Sequence, residues 1–201
     1  YTRDSYFKRR FERMVRWLSF WIGGCVLSMG CDELPPRFAD KSSSSTFKLL
    51  EKQLIGEIIP YVEKKFRVGK TKKMRAMAGL SMGSLQTSII GFMHPEYFSS
   101  LGIFSGFVSD IIQGSPLDMV DRRASENEHM KILDDAEAFN KKFDVYFRAM
   151  GDKDPFWEHF EHDDQILSEK GINQIRKVYQ GTHDWNVWRR CIYDFAQLIF
   201  K

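Results

Sequence analysis

From Thr46 onward the apolar residues fall into short recurring patterns separated by Gly, Pro and polar turns. Phe47, Leu50, Leu54, Ile58 and Val62 recur at three- and four-residue steps among Lys and Glu, the spacing of one apolar helix face. Pro60 is expected to bend that helix or to mark a restart, because it lacks an N–H. Residues 74–80 and 101–104 read as short buried strands, and 83–93 between them as a helix closed by His94-Pro95. A third strand is predicted over 145–150, ending at Gly151. A helix follows over 155–170, stopping at Gly171, then a strand over 174–179. The last element, 185–200, is an amphipathic helix with Trp188, Ile192, Phe195 and Ile199 on its apolar side. Strands alternating with helices at this spacing predict an α/β fold, a mostly parallel sheet with helices on both faces. Ligands of such sheets bind beyond the carboxyl ends of the strands.

Upstream of Thr46 the pattern breaks. Pro35-Pro36 and the run Ser42-Ser43-Ser44-Ser45 set an atypical segment, 1–45, apart from a regular domain, 46–201. Residues 17–31 carry no charge and directly follow a basic cluster, yet they fall short of the roughly 20 residues a spanning helix needs. Two readings compete. A basic stretch, an apolar stretch and small residues before a cysteine resemble a secretory or lipoprotein signal; the alternative is a buried strand or helix at the start of the core. Membrane association is expected only if residues 14–31 act as a signal or lipid anchor, and that reading also implies an extracellular or periplasmic location. The chain opens on Tyr1 and is expected to be a fragment or a processed form.

Composition narrows the class. With 201 residues, 43% apolar, the chain is long enough for one sizeable core. The net charge of +3 is concentrated at the start, where Arg3, Lys8, Arg9, Arg10, Arg13 and Arg16 face only Asp4 and Glu12. The remaining residues therefore sum to about −1, which gives the body no electrostatic reason to bind nucleic acid. Lys64-Lys65 and Lys72-Lys73 read as solvated charges. Cys25, Cys31 and Cys191 are too few and too dispersed for a disulfide framework or a Cys-rich zinc site.

The stretch Gly79-Leu80-Ser81-Met82-Gly83 places a serine between two glycines, after a predicted strand and before a predicted helix. The glycines let the chain turn sharply and lift the hydroxyl above the sheet, and the N–H of Met82 is available to an oxyanion. A serine hydroxyl becomes a useful nucleophile only when a base takes its proton and a carboxylate fixes the base's tautomer. Of five histidines, His94 reads as a helix-end cap and His129 as solvated, whereas His183 lies in the loop after the last strand, on the same edge as Ser81. Gly151-Asp152-Lys153-Asp154 follows the strand at 145–150; Asp154, deeper in the loop, is favoured over Asp152 as the acid. Asp184 is set aside because adjacent residues seldom reach triad geometry. His159 and His162, with Asp163 or a remote carboxylate, form a rival metal-binding pattern, weighed against a solvated helix face; it lacks the H-E-x-x-H spacing, and no metal or other cofactor is expected. Phe156-Trp157 could pave a pocket above Asp154 or belong to the core.

These residues together resemble a known family. "RAMAGLSMGSLQTSIIGF", "LGIFSGF", "RAMGDKD" and "GTHDWNVWRRCIYDFAQLIF" are similar, in order and spacing, to the esterase D / carbohydrate esterase family 1 group of α/β-hydrolases, over about Thr46 to Phe200. The likeness is strongest to bacterial feruloyl esterases of plant-fibre degraders. It implies an α/β-hydrolase fold and a serine carboxylesterase acting on hydroxycinnamoyl or acetyl esters, small or polysaccharide-linked. The implied roles are Ser81 as nucleophile, His183 as base, Asp154 as acid and Met82 N–H as one oxyanion donor. Phe156, Trp157 and Trp185 are the candidate substrate contacts. The competing expectation is a non-catalytic remnant or carbohydrate-binding module that keeps the hydrolase shape. Family members normally supply a second oxyanion donor from an early strand ending in His-Gly. None is visible before Thr46, so the early strands are expected to be missing or replaced, with Gly23-Gly24 the first substitute to consider. Ser84 stands where many members have a third glycine.

Overall fold

The structure, a computed structural model, describes residues 50–108 and 128–201. The atypical segment 1–45, with its signal-like stretch and Gly23-Gly24, lies outside the described residues, as does the side chain of His129.

The first described element is a helical run whose middle, Leu54–Ile58, is a π-turn leading into α1 (Ile59–Lys65). Pro60 marks a restart, as expected. It occupies the first turn of α1, where a missing N–H costs least, and the wider turn just before it absorbs the register change. Then come β1 (Ala76–Leu80), α2 (Met82–Met93), β2 (Ser100–Phe104), α3 (Ala136–Lys142), β3 (Val145–Gly151), α4 (Trp157–Glu169), β4 (Ile175–Tyr179) and α5 (Trp185–Leu198).

The four strands pair in parallel in the order β1-β2-β3-β4, with Leu80 opposite Phe104, Phe104 opposite Ala149 and Gly151 opposite Tyr179. All the carboxyl ends thus share one edge. Both faces are covered. Gly91 of α2 lets Leu101 approach, and Phe92 meets Tyr146; α4 reaches the same face through Arg148 and Asp163. On the opposite face Phe195 of α5 packs on Phe104 and Phe147 at 5.8 Å. β2 and β3 are buried along their whole lengths, as apolar runs in a doubly covered parallel sheet must be.

Some element boundaries differ from the expectations. Residue 74 is not in the first strand: Lys72–Met74 form a 3-10 turn, and the Met74 side chain fills the space left by the missing Cβ of Gly69. α4 starts two residues late, because Asp154 and Pro155 are spent in a turn in which Trp157 N–H donates to the Asp154 carbonyl at 3.0 Å. It ends where Gly171 predicts. Gly171, at φ 71, donates to Ser168 O and Ile172 to Leu167 O, the paired bonds of a left-handed glycine stop. In α5 the buried line is Val187, Cys191, Ile192 and Phe195. Trp188 is turned off it towards the site. Cys191 is a free, fully buried thiol whose burial pushes its pKa up to about 12.

Among the described residues no helix is long and apolar enough to cross a membrane.

Candidate active site

Ser81 sits between β1 and α2 with φ 51 and ψ −123, a backbone that side-chain-bearing residues rarely adopt. The flanking glycines make it feasible: a Cβ on Gly79 would run into the Gly83 carbonyl. Ser81 N–H still donates to Phe104 O at 2.9 Å, so the sheet ladder holds one side of the turn. Ser84 holds the other, its N–H and hydroxyl both donating to Ser81 O. The Ser84 side chain fits because Gly106 leaves the room; a Cβ on Gly106 would collide with Ser84 Oγ.

The Ser81 hydroxyl lies 2.9 Å from His183 Nε2, and His183 Nδ1 lies 2.9 Å and 3.1 Å from the two oxygens of Asp154. Nδ1–H donates to the carboxylate, which leaves Nε2 to accept the serine proton. Asp154 is buried, and burial alone would raise its pKa. Hydrogen bonds from His183 and from Phe156 N–H (3.0 Å) outweigh that and hold the carboxyl below its ordinary value, ionised. Between Asp152 and Asp154 the geometry is unambiguous. Asp152 is exposed and accepts from Gly181 N–H at 2.9 Å, while Lys153 N–H donates to Gly181 O and Thr182 Oγ1 to Lys153 O. These bonds staple the loop carrying Asp154 to the loop carrying His183. Asp184 caps α5, accepting from Asn186 and Val187 N–H at 2.7 and 3.3 Å.

Met82 provides the first N–H of α2, a position whose donor has no intrahelical partner. Ser81, Asp154, His183 and Met82 thus meet at the carboxyl edge. The predicted source of a second donor, upstream of Thr46, lies outside the described residues.

The three aromatic candidates separate. Phe156 packs edge-on against His183 at 5.3 Å. Trp157 faces away, against Phe160 at 5.9 Å with the Arg176 guanidinium over its ring. Trp185 is exposed at the start of α5. Sequence reasoning missed Trp188, whose ring lies 5.1 Å from His183, and Phe107, which meets Phe156 at 5.9 Å and His159 at 5.1 Å. His159 is thus part of an aromatic wall, His162 is exposed, and Asp163 pairs with Arg148. The metal pattern is not assembled, and among the described residues no group of three or more His, Cys, Asp or Glu is placed to hold a metal ion.

A parallel sheet with helices on both faces and a Ser-His-Asp constellation on its carboxyl edge defines an α/β-hydrolase-fold protein. Comparison narrows this. The family model described as "Putative esterase" matches residues 30–196, and the chain belongs to that esterase family. It is 32% identical over 157 residues to an endo-1,4-beta-xylanase/feruloyl esterase of Xylanibacter ruminicola, a match that covers 78% of this chain and 18% of that protein. Among solved structures it is similar to a ferulic acid esterase, with TM-score 0.61 and 25% identity, over 74% of this chain and 60% of the other. An S-formylglutathione hydrolase from Staphylococcus aureus shares the fold at TM-score 0.59 and 19% identity, over 77% of this chain and 62% of that one. The chain thus spans less than two thirds of each of these relatives.

Proposed function

We propose that this protein is a serine carboxylesterase that cleaves hydroxycinnamoyl or acetyl esters of plant cell-wall polysaccharide through an acyl-enzyme. The observation that carries this reading is the continuous hydrogen-bonded line from Ser81 Oγ through His183 to Asp154. Ser81 Oγ attacks the ester carbonyl carbon as its proton passes to His183 Nε2, and the charge that forms on the carbonyl oxygen faces Met82 N–H. Collapse breaks the bond to the alcohol, which leaves with the proton from Nε2. Water then repeats the sequence on the acyl-serine, releasing the acid and restoring Ser81. Asp154 stays ionised throughout and stabilises the transient imidazolium.

The aromatic wall of Phe107, Phe156 and His159 beside His183 supports a ring-bearing acyl group. The similarity to a xylanase/feruloyl esterase points the same way. Exposed Trp185, two residues beyond His183, is suited to stack on the sugar side of the substrate. A polymeric substrate of this kind would be met outside the cytoplasm, which fits the signal-like reading of residues 14–31. Residues 46–201 form the catalytic domain in this account.

The test is turnover of methyl ferulate and an aryl acetate with and without chelator, together with labelling by a fluorophosphonate. Chelator-insensitive hydrolysis and a label on Ser81 that is lost in Ser81→Ala are expected. A label on another serine, or no turnover of either ester, overturns the proposal and favours the non-catalytic alternative.

A further inference from the structure

Arg148 stands in the middle of β3, fully buried in a run that is otherwise apolar. A guanidinium there is costly unless every donor finds a partner of good geometry. Its Nη1 donates to Asp164 Oδ1 at 2.6 Å and to Gln174 Oε1 at 2.9 Å. Nη2 donates to Asp163 Oδ2 at 3.1 Å and to Phe160 O at 3.2 Å, and the group lies 4.4 Å from the centre of the Phe160 ring, while Nε is buried without a hydrogen-bond partner, so the burial keeps part of its cost. Asp163 is equally buried, and its Oδ2 also accepts the backbone N–H of Val108 at 2.6 Å.

That last bond distinguishes the pair from simple packing. It runs from α4 to the segment leaving β2, and it fixes a backbone atom one residue from Phe107. The Phe107 ring packs on Phe156 and His159, and Phe156 packs on His183. α4 therefore supplies both the anchor and part of the wall that the anchored residue completes. Apolar side chains would hold α4 on β3 at least as well, since replacing a buried ion pair with packed hydrophobics is often neutral or stabilising. Only a buried acceptor can hold the Val108 N–H in place.

We propose that the Arg148–Asp163 pair is a positioning device for substrate choice: by clamping Val108 it sets Phe107 in the wall beside His183 and so favours an aromatic acyl group over acetyl. The inference rests on the esterase reading above and deepens it.

The decisive variant is the double replacement Arg148→Met/Asp163→Leu, which removes both charges together and takes away the acceptor of Val108 N–H. It is expected to remain folded with a lowered Tm, since Val108 N–H loses its acceptor, and Ser81 should still be labelled by a fluorophosphonate. Its preference for methyl ferulate over an aryl acetate should fall by about tenfold, through KM more than kcat. Phe107→Leu should reproduce that loss of preference. Asp163→Asn, which keeps an oxygen for Val108 N–H but weakens the pairing with Arg148, should also lower Tm yet hold the preference closer to the parent. Binding of free ferulate to each variant in a Ser81→Ala background, where no turnover is needed, should weaken in the same order. A folded double variant with unchanged preference and unchanged ferulate binding overturns the proposal, as does an equal loss on both esters. Failure of the parent to bind ferulate at all also overturns it. Absence of turnover and of Ser81 labelling in the parent, with ferulate binding still dependent on the clamp, would instead sink the esterase reading and leave the clamp standing.

Discussion

Ser81 and Ser105 occupy the same place on neighbouring strands. Each follows the last paired residue of its strand, Leu80 or Phe104, and each has a left-handed φ, 51 and 47. Each donates its N–H across the ladder, Ser81 to Phe104 O at 2.9 Å and Ser105 to Ala149 O at 2.8 Å. Only their surroundings differ. Ser81 Oγ meets His183 Nε2, contributed from 102 residues later in the chain. The Ser105 hydroxyl is buried near Asp154, whose charge it helps to hold, but makes no well-formed hydrogen bond of its own. Backbone strain at a strand end is therefore not what sets the proposed nucleophile apart. The mark is a base brought opposite by the fold, with its proton already directed by a carboxylate.

The sharpest way to break this comparison is to truncate both serines. Ser81→Ala should cut kcat by on the order of 10⁶-fold, as loss of a triad serine does, while Ser105→Ala should stay within about tenfold of the parent. Comparable losses at the two positions would mean that the strained turn itself, and not the histidine, is what matters. Next in size is the carboxylate. Asp154→Asn should lower kcat by about 10⁴-fold through loss of tautomer control, while Asp152→Asn, which loosens only the loop staple, should cost less than about tenfold. The reverse ranking would contradict the hydrogen bonds to His183.

A stability effect sharpens the comparison further. Gly106→Ala directs a Cβ into Ser84 Oγ, the group that braces the Ser81 carbonyl. It should destabilise by about 1–3 kcal/mol in thermal or denaturant unfolding, and Ser84→Gly in the same chain should restore most of the loss. Additive losses would show that the two positions do not share space. The smallest expected effect is on acid stability. Because the folded-state pKa of Asp154 lies below its unfolded value, its contribution is fully present above the ordinary carboxylate range near pH 4 and is lost as the pH falls through the depressed value. Asp154→Asn should therefore unfold with a shallower dependence on pH below about 4 than the parent.

Much of this was legible in the sequence, for identifiable reasons. β1 to β3 and their helices follow from apolar runs punctuated by Gly and Pro, β4 from its place between Gly171 and Gly181, and the proposed serine, acid and base from chain order and from their positions after strands. The aromatic wall was hidden because packing direction is not encoded in spacing. Trp188 fits the apolar period of α5, yet it is rotated onto His183, and Trp157, beside Phe156 in sequence, points the other way. A signal for the buried pair did exist. An arginine in the apolar run VYFRAMG must find a carboxylate inside the fold, but Asp163 was grouped with its sequence neighbours His159 and His162 instead of with a strand residue 15 positions away. The strained φ of Ser105 has no sequence signature, since nothing about a serine demands it.

Cys191 gives the molecule an internal clock. Its thiol is sealed under α5 and holds its proton far above neutral pH, so an alkylating reagent meets no thiolate until α5 separates from the sheet. α5 begins two residues after His183, and its first turn carries the cap and the tryptophan that hold that loop. In a chain with Cys25 and Cys31 changed to serine, the rate of alkylation would thus time the separation of α5, the helix that follows His183, from the sheet. Any ligand that closes the site should slow that clock in proportion to its occupancy.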